Sequence, residues 1–305
     1  MSESVKDMQN KKIAVLMGGK SSEREISLKS GAAIHQSLVR RGYAAIAIDA
    51  ASGLAEALKR EKIQVAFVAL HGRWGEDGTV QGLLEMMGIP YTGSGVLGSA
   101  ISMDKAIMKQ LLDSIEVPTP AYAICGPGND VKFPMPFVVK PANEGSTIGI
   151  SIVRKKEDKA GAIENATKYD RKVLLEKYVE GDEITVGVVN DQVLPVIQVK
   201  PKKGFYDFEA KYTKGMTEYI IPAKISKKIE KRAQNIGLAV YRAFELSGCA
   251  RIDMMADDQD VPLVIDINTS PGMTETSLVP KAWGYLGRSF DDLVEEILKG
   301  AALKI

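Results

Sequence analysis

Cysteine is nearly absent from this chain. Cys125 and Cys249 are the only two, and they lie far apart in the sequence. That excludes a disulfide framework or a Cys-x-x-Cys metal or redox site, so both read as small core residues of a reducing compartment. Long apolar runs are missing too: nothing approaches the ~18 residues of a membrane helix. The polar stretch from Met1 to Lys12 is followed by only a short apolar run, Ile13 to Met17. A signal peptide does not read that way, and the cytoplasm is the expected location. Charge of one sign is also lacking. A net charge of +1 gives no general attraction to nucleic acid or an anionic membrane. Any phosphate recognition must therefore come from individually placed residues. Repeats and low-complexity tracts are absent as well.

What is present is ordinary for a globular protein: 305 residues, 45% hydrophobic and 26% charged. The length suits two or three domains rather than one small core. Residues 11–100 alternate strand and helix signals. Ile13–Met17 reads as a strand ending in Gly18-Gly19, Ser27–Arg41 as a helix, and Ala44–Ile48 and Val65–Leu70 as buried strands. Strand, helix, strand in that order implies a parallel α/β layer, with ligands beyond the carboxyl ends of its strands. Two polar runs fall there, Gly18 to Glu25 and His71 to Gly78.

Ser99 to about Ile115 is expected to be one helix, ended by Pro118 and Pro120. Phe137–Pro141 and Thr147–Val153 read as a strand pair, Lys155–Tyr169 as a helix, and Val173–Val179 as another strand, making a small α+β module. Beyond it, Glu183–Val189 and Gln192–Val199 flank Asn190-Asp191, a good hairpin turn. A long helix is expected from Ser226 to Leu246. The expected division is 1–100, 101–180 and 181–305.

The most informative segments are Arg251-Ile-Asp253-Met and Val264-Ile-Asp266-Ile-Asn268-Thr-Ser-Pro-Gly272-Met, on either side of Asp257 to Asp260. They read as the arms of a β-hairpin. Alternation puts Arg251 and Asp253 on one face of the first arm, and Val264, Asp266 and Asn268 on one face of the second. A turn centred between Gln259 and Asp260 sets Asp253 opposite Asp266 and Arg251 opposite Asn268. Facing carboxylates ask for a cation between them. Two carboxylates and an amide oxygen suit Mg²⁺ that also holds phosphates. Ile252, Met254, Ile265 and Ile267 are expected on the core side.

Gly18-Gly19 lacks the G-x-G-x-x-G spacing and the P-loop lysine, so a tight turn explains it. Glu144 to Gly149 is a stronger phosphate-loop candidate, because glycine and hydroxyl residues between two strands expose backbone N–H groups. Lys140 ends the strand before it, and Lys105 opens the same module. Glu176 to Glu183 closes the module and reads locally as a charged linker.

Together these motifs resemble the D-alanine–D-alanine ligase family of the ATP-grasp superfamily. The resemblance is carried by Gly-Gly-Lys-Ser-Ser-Glu-Arg-Glu-Ile-Ser, Leu-His-Gly-Arg, Gly-Glu-Asp-Gly, Tyr-Thr-Gly-Ser-Gly, Met-Asp-Lys, Val-Lys-Pro, Glu-Gly-Ser, Glu-Ala-Lys-Tyr, Arg-Ile-Asp and Asn-Thr-Ser-Pro-Gly-Met, and it spans Lys12 to Leu298. It implies an ATP-grasp fold with an N-terminal parallel α/β domain, a small central α+β domain and a C-terminal α+β domain. The implied activity joins two D-alanines with ATP, through an acyl phosphate, for peptidoglycan synthesis. It also implies two Mg²⁺ ions (Mn²⁺ as a substitute) and a homodimer.

By this resemblance Lys105, Lys140, Glu176, Lys177, Val179, Glu183 and Lys211 contact ATP, and Asp253, Asp266 and Asn268 hold the metals. Arg251 and the Gly272 backbone face the oxyanion. Glu23 binds the first D-alanine, with His71 nearby on its carboxylate. Ser277 and the backbone at Leu278 take the second. Ser146, Tyr212 and Glu23 form a set that closes the Lys200–Glu218 segment over the site. Asp266 departs from the family's usual glutamate, and Tyr178 stands where many relatives carry tryptophan. The rival readings are a D-alanyl-D-lactate or D-alanyl-D-serine ligase and a non-catalytic ATP-binding regulator.

Overall fold

The computed structural model describes residues 8–126, 131–145, 148–201, 216–256, 261–274 and 276–305. Three sheets organise them. The first is parallel, with β1 (Lys12–Met17) between β2 (Ala44–Asp49) and β3 (Val65–Val68). Its crossovers are α1 (Arg24–Arg40) and α2 (Leu54–Arg60), and α3 (Thr79–Met87) follows β3. Ile13, Ala14, Val15 and Leu16 in β1 are fully buried, as a central parallel strand covered on both faces requires.

The second sheet is antiparallel, in the order β4 (Tyr122–Cys125), β7 (Val173–Lys177), β5 (Phe137–Pro141), β6 (Ser151–Val153). The helix α6 (Asp158–Thr167) covers it, and Phe137, Val139, Val153, Ala166 and Leu175 form its own core. The third runs β11 (Thr217–Ile220), β10 (Ile197–Pro201), β8 (Asp182–Val189), β12 (Cys249–Ala256), β13 (Pro262–Asn268), with β9 (Gln192–Val193) paired to β8. Against it packs α7 (Lys227–Ala243), whose N-cap Ser226 accepts from Ile229 N–H at 3.2 Å.

The chain closes with α8 (Leu278–Tyr285) and α9 (Phe290–Lys299). Val279, Trp283, Leu293 and Leu298 on these helices share one buried cluster with Ile13, Val15 and Ile34 of the first layer. Arg40 pairs with Asp291 at 2.6 Å, Arg41 with Asp292, and the Tyr43 hydroxyl donates to Glu295 at 2.7 Å. The first and third sheets are thereby joined through a shared core. Among the described residues no helix is long and apolar enough to cross a membrane.

Several boundaries differ from expectation. The single helix expected over Ser99–Ile115 is two, α4 (Val96–Met103) and α5 (Lys105–Ser114). Asp104 takes extended backbone (φ −82°, ψ 97°), and its carboxylate accepts from Ala106 and Ile107 N–H, at 3.0 and 3.2 Å. An aspartate N-cap satisfies donors that a continuous helix would have bonded itself, and it starts a new helix at Lys105. The strand expected from Thr147 begins only at Ser151. Gly149 turns there with φ +71°, packed so closely on Tyr169 that a Cβ would lie 2.7 Å from its ring. Residues expected as one strand over Gln192–Val199 split into β9 and β10, and β7 stops at Lys177 rather than Val179. The Asn190-Asp191 turn has φ of 45° and 64°, the left-handed pair a two-residue hairpin needs.

In the hairpin, Arg251 pairs with Asn268 and Asp253 with Asp266, as expected. Immediately beyond, the register shifts by one and Met254 pairs with Val264, a β-bulge. The bulge corrects the face assignment. Val264 points into the core beside Ile252, Met254 and Ile267, while Ile265 is turned out of it and lines a pocket.

Candidate active site

The loops at the carboxyl ends of β1 and β3 converge on Glu23, which is 8% exposed. A Cβ on Gly72 or on Gly145 would come 2.9 Å from Glu23 Oε2, so both segments close around its carboxylate, and Gly72 also takes the left-handed φ of +67° that favours glycine. Glu76 lies beside it, accepting from Gly72 N–H at 2.6 Å and Ser270 N–H at 3.2 Å. Burial, reinforced by the charge of Glu23, pushes the Glu76 carboxyl up to about 8.

The His71 ring lies between the two carbonyl-end loops and the segment after β13. Nδ1 is 2.8 Å from Ser270 O and Nε2 is 3.2 Å from Ser30 Oγ. A carbonyl oxygen only accepts, so Nδ1 carries the proton, and Nε2 takes the Ser30 hydroxyl. Ser30 Oγ in turn accepts from Met273 N–H at 3.1 Å. Burial lowers the His71 pKa, which keeps the ring neutral. Glu76, His71 and Ser30 thus fix residues 270–273 over the carboxyl ends of β1 and β3.

Asp253 is held by three side chains. Arg251 donates to both of its oxygens at 2.8 and 2.7 Å, the Thr185 hydroxyl at 2.6 Å and the Asn268 amide at 3.1 Å. Opposite, Asp266 Oδ1 is 3.3 Å from Lys105 Nζ, which also donates to Glu144 O at 2.8 Å. The two carboxylates are therefore balanced by Arg251 and Lys105. Two facing carboxylates and one amide form an all-oxygen set that fits Mg²⁺ completed by phosphate and water ligands. Among the described residues no group of three or more His, Cys, Asp or Glu is close enough to hold a metal without such help.

Two cavities open from this centre. One, of about 530 Å³, is bordered by Glu23, His71, Glu76, Arg251, Gly272 and Ser277. Leu278, also on its wall, begins α8, so the first turn of a helix faces the cavity, a natural seat for a carboxylate. Ser277 Oγ accepts from Thr274 N–H at 3.0 Å and lies 2.8 Å from Thr274 Oγ1. The other cavity, about 360 Å³, has apolar walls from Val138, Ile150, Val199, Met255 and Ile265, with Lys140, Glu176, Lys177, Val179 and Glu183 around them. Lys105, Gly145 and Asp266 border both cavities.

A family model described as the D-ala D-ala ligase C-terminus matches residues 129–299, and one described as the D-ala D-ala ligase N-terminus matches residues 49–94. The chain belongs to the D-alanine–D-alanine ligase family. It is 47% identical to the D-alanine–D-alanine ligase of Geotalea uraniireducens, over 99% of each chain, and 50% identical to that of Syntrophotalea carbinolica, over 98% of each. Two crystal structures of the Bacillus anthracis D-alanine–D-alanine ligase, one complexed with ATP, match it with TM-scores of 0.84 at 34% and 35% identity. Each comparison covers 95% of this chain and 97% of the other. The fold is ATP-grasp, as the resemblance implied.

Of the expected site residues, Ser146, Lys211 and Tyr212 lie outside the described residues, and so does most of the Lys200–Glu218 segment. The other expected side chains and backbone positions line one or both cavities, or bind a residue that does. Contributors that were not anticipated include Glu76, Ser30, Thr185 and Lys109, which pairs with the Glu176 carboxylate. Glu76 stands inside the quoted Gly-Glu-Asp-Gly motif, which was signal enough. Lys109 follows Lys105 by one helical turn, on the same face. Thr185 gives no sign in the sequence, because only strand pairing brings it to Asp253.

Proposed function

We propose that the protein joins two D-alanines to D-alanyl-D-alanine at the expense of ATP, releasing ADP and phosphate, through a D-alanyl phosphate. The observation that carries this reading is the shared border of the two cavities. One chamber has the apolar walls and flanking lysines a nucleotide needs, and the other has carboxylates and a helix N-terminus suited to amino acids. They meet at Lys105, Gly145 and Asp266. A phosphoryl group passing from one chamber to a carboxylate in the other crosses that border.

Phosphoryl transfer is mainly positioning and charge stabilisation. Lys105 and Lys140 supply fixed positive charge to the phosphates, while Lys177, Val179 and Glu183 frame the base and ribose. Asp253, Asp266 and Asn268 would hold two Mg²⁺ ions, with Mn²⁺ as a substitute, which neutralise charge on the phosphates when bound. Glu23 takes the ammonium of the first D-alanine. Ser277 and the Leu278 N–H hold the carboxylate of the second. Its amine attacks the acyl phosphate, and Arg251 with the Gly272 N–H stabilises the oxyanion that forms. His71, with both nitrogens directed at Ser270 and Ser30, acts by fixing the 270–273 segment. By the family resemblance, Tyr212 and Ser146 would be partners of Glu23, and Lys211 would contact ATP.

The expected division at residues 100 and 180 is part of this proposal: the β4–β7–β5–β6 sheet has a core of its own, while Met108, Leu112 and Val117 of the 101–180 segment pack in the core of the third sheet. Homodimeric assembly and a cytoplasmic location belong to the same proposal. Phosphate release with ATP, Mg²⁺ and D-alanine tests the reaction. Release that depends on D-alanine, and not on L-alanine, is the expected result; equal release without any amino acid would refute it.

A further inference from the structure

Lys109 has no exposed side-chain surface, an environment an ammonium tolerates only with close partners in place of water. Its Nζ donates to Thr119 Oγ1 at 2.6 Å and Pro120 O at 3.5 Å, and pairs with Glu176 Oε2. The other oxygen of the same carboxylate, Oε1, accepts from Lys140 Nζ at 2.7 Å. Lys140 also donates to Ile265 O at 3.3 Å, the residue turned outward by the bulge. All three charged side chains are nearly dry, at 0%, 5% and 7% exposure for Lys109, Glu176 and Lys140. Lys140 and Glu176 border the nucleotide chamber, and Lys109 sits behind them, off its wall.

The charge count gives this arrangement meaning. Glu176 and Lys140 alone form a neutral pair, and a polyphosphate approaching it would meet little net attraction. Sharing the carboxylate with Lys109 leaves the triad at +1. Only Lys140 can show that charge to a ligand, because Lys109 does not reach the chamber. Burial pushes Lys109 down to about 8, against the pull of Glu176. Burial pushes Glu176 up, but the two ammonium groups outweigh it and hold the carboxyl below its ordinary range. A purely structural demand would be met more cheaply by apolar side chains of similar volume. Met108 and Leu112, fully buried neighbours on the same helix, show that apolar residues pack here.

We propose that Lys109 is a positioning residue for nucleotide binding: it holds Glu176 from behind, so that Lys140 presents an uncompensated positive charge to the phosphates. This rests on the reading of that chamber as the ATP site.

The test compares affinities of the full chain for adenosine, ADP and ATP, with Mg²⁺, by calorimetry. Lys109→Met should weaken ADP and ATP by ~10-fold or more, the scale of one lost charged hydrogen bond, and leave adenosine within about twofold. Lys109→Met combined with Glu176→Gln removes one charge of each sign and should restore most of the ATP affinity. Glu176→Gln alone should raise the ratio of ATP to adenosine affinity, which provides a readout even if Lys109→Met does not fold. Equal weakening of adenosine and ATP, no rescue in the double variant, or an unchanged ratio in Glu176→Gln would each overturn the role. A wild type that binds none of the three ligands overturns the nucleotide reading itself. Wild-type binding with flat variant ratios overturns only Lys109.

Discussion

Asp253 stands directly opposite Asp266 across β12 and β13, and the register slips by one residue just beyond them. The slip leaves the two acids facing each other while turning their neighbours Val264 and Ile265 to opposite sides. Like charges in that relation repel, and Arg251 and Lys105 offset them. Asp253→Asn should therefore lower kcat at saturating ATP by at least ~100-fold, on the order of losing one major electrostatic stabiliser. Asp266→Glu restores the residue usual in the family. It should remain active with a shifted Mg²⁺ or Mn²⁺ dependence. An Asp266→Ala enzyme with unaltered metal dependence would remove Asp266 from the site.

The protonation of Glu76 makes a second prediction. Its folded pKa, about 8, is raised above the ordinary 4.5 by burial and then by Glu23. A raised carboxyl pKa means the folded state binds the proton more tightly than the unfolded chain does. Its contribution is fully present below pH 4.5 and is lost progressively as pH rises through about 8. Denaturant titrations of the ligand-free protein should show that loss across the window, and Glu76→Gln should flatten it. An identical slope in wild type and variant would mean Glu76 is ionised throughout.

How much of this was legible beforehand depends on range. The hairpin register was readable because two short arms and a polar turn leave few alternatives, so Asp253 met Asp266 as expected. The bulge was not, since alternation of Val264, Ile265 and Asp266 looks regular; Thr119 and Pro118, which bond the Val264 backbone, are distant in sequence. Asp104 was legible in kind, as a helix-capping residue type, yet the apolar pattern of both flanking helices runs through it. Parallel pairing of β1 with β2 and β3 followed from the strand–helix order. The Glu176–Lys109 contact did not, because it depends on how α5 packs against the second sheet.

A third prediction concerns folding stability at Gly31, buried in the middle of α1. Alanine there gains ~1 kcal/mol of helix propensity. The added Cβ, however, would lie 2.4 Å from the Cβ of Met17 on β1. That atom cannot swing away as a side-chain end could, so helix and sheet must separate. Overpacking of this kind costs ~1–3 kcal/mol, and it should outweigh the propensity gain. Gly31→Ala is expected to lower the urea midpoint; an unchanged or higher midpoint would show that the layer relaxes freely.

The last prediction concerns the acceptor. The cavity assigned above to the amino acids is bordered by Glu23, Glu25, Glu76 and Asp266, and also by Ser277 and the N-terminal turn of α8. Such a chamber suits a zwitterion, with its carboxylate at the helix N-terminus and its ammonium toward the acids. D-lactate offers the carboxylate alone, and its hydroxyl is a much weaker nucleophile than an amine. With equal D-alanine and D-lactate near neutral pH, D-alanyl-D-alanine should be the main product and D-alanyl-D-lactate minor. Under the proposed role of Ser277 as a holder of the acceptor in ground and transition states alike, Ser277→Ala should raise the KM for the second D-alanine more than it lowers kcat. If Tyr212 pairs with Ser146 and Glu23 as the family resemblance implies, Tyr212→Phe should increase the D-lactate share, on the scale of one lost buried hydrogen bond, ~1–3 kcal/mol. Product analysis by mass spectrometry decides it: depsipeptide as the main wild-type product would overturn the acceptor assignment and leave the nucleotide chamber untouched.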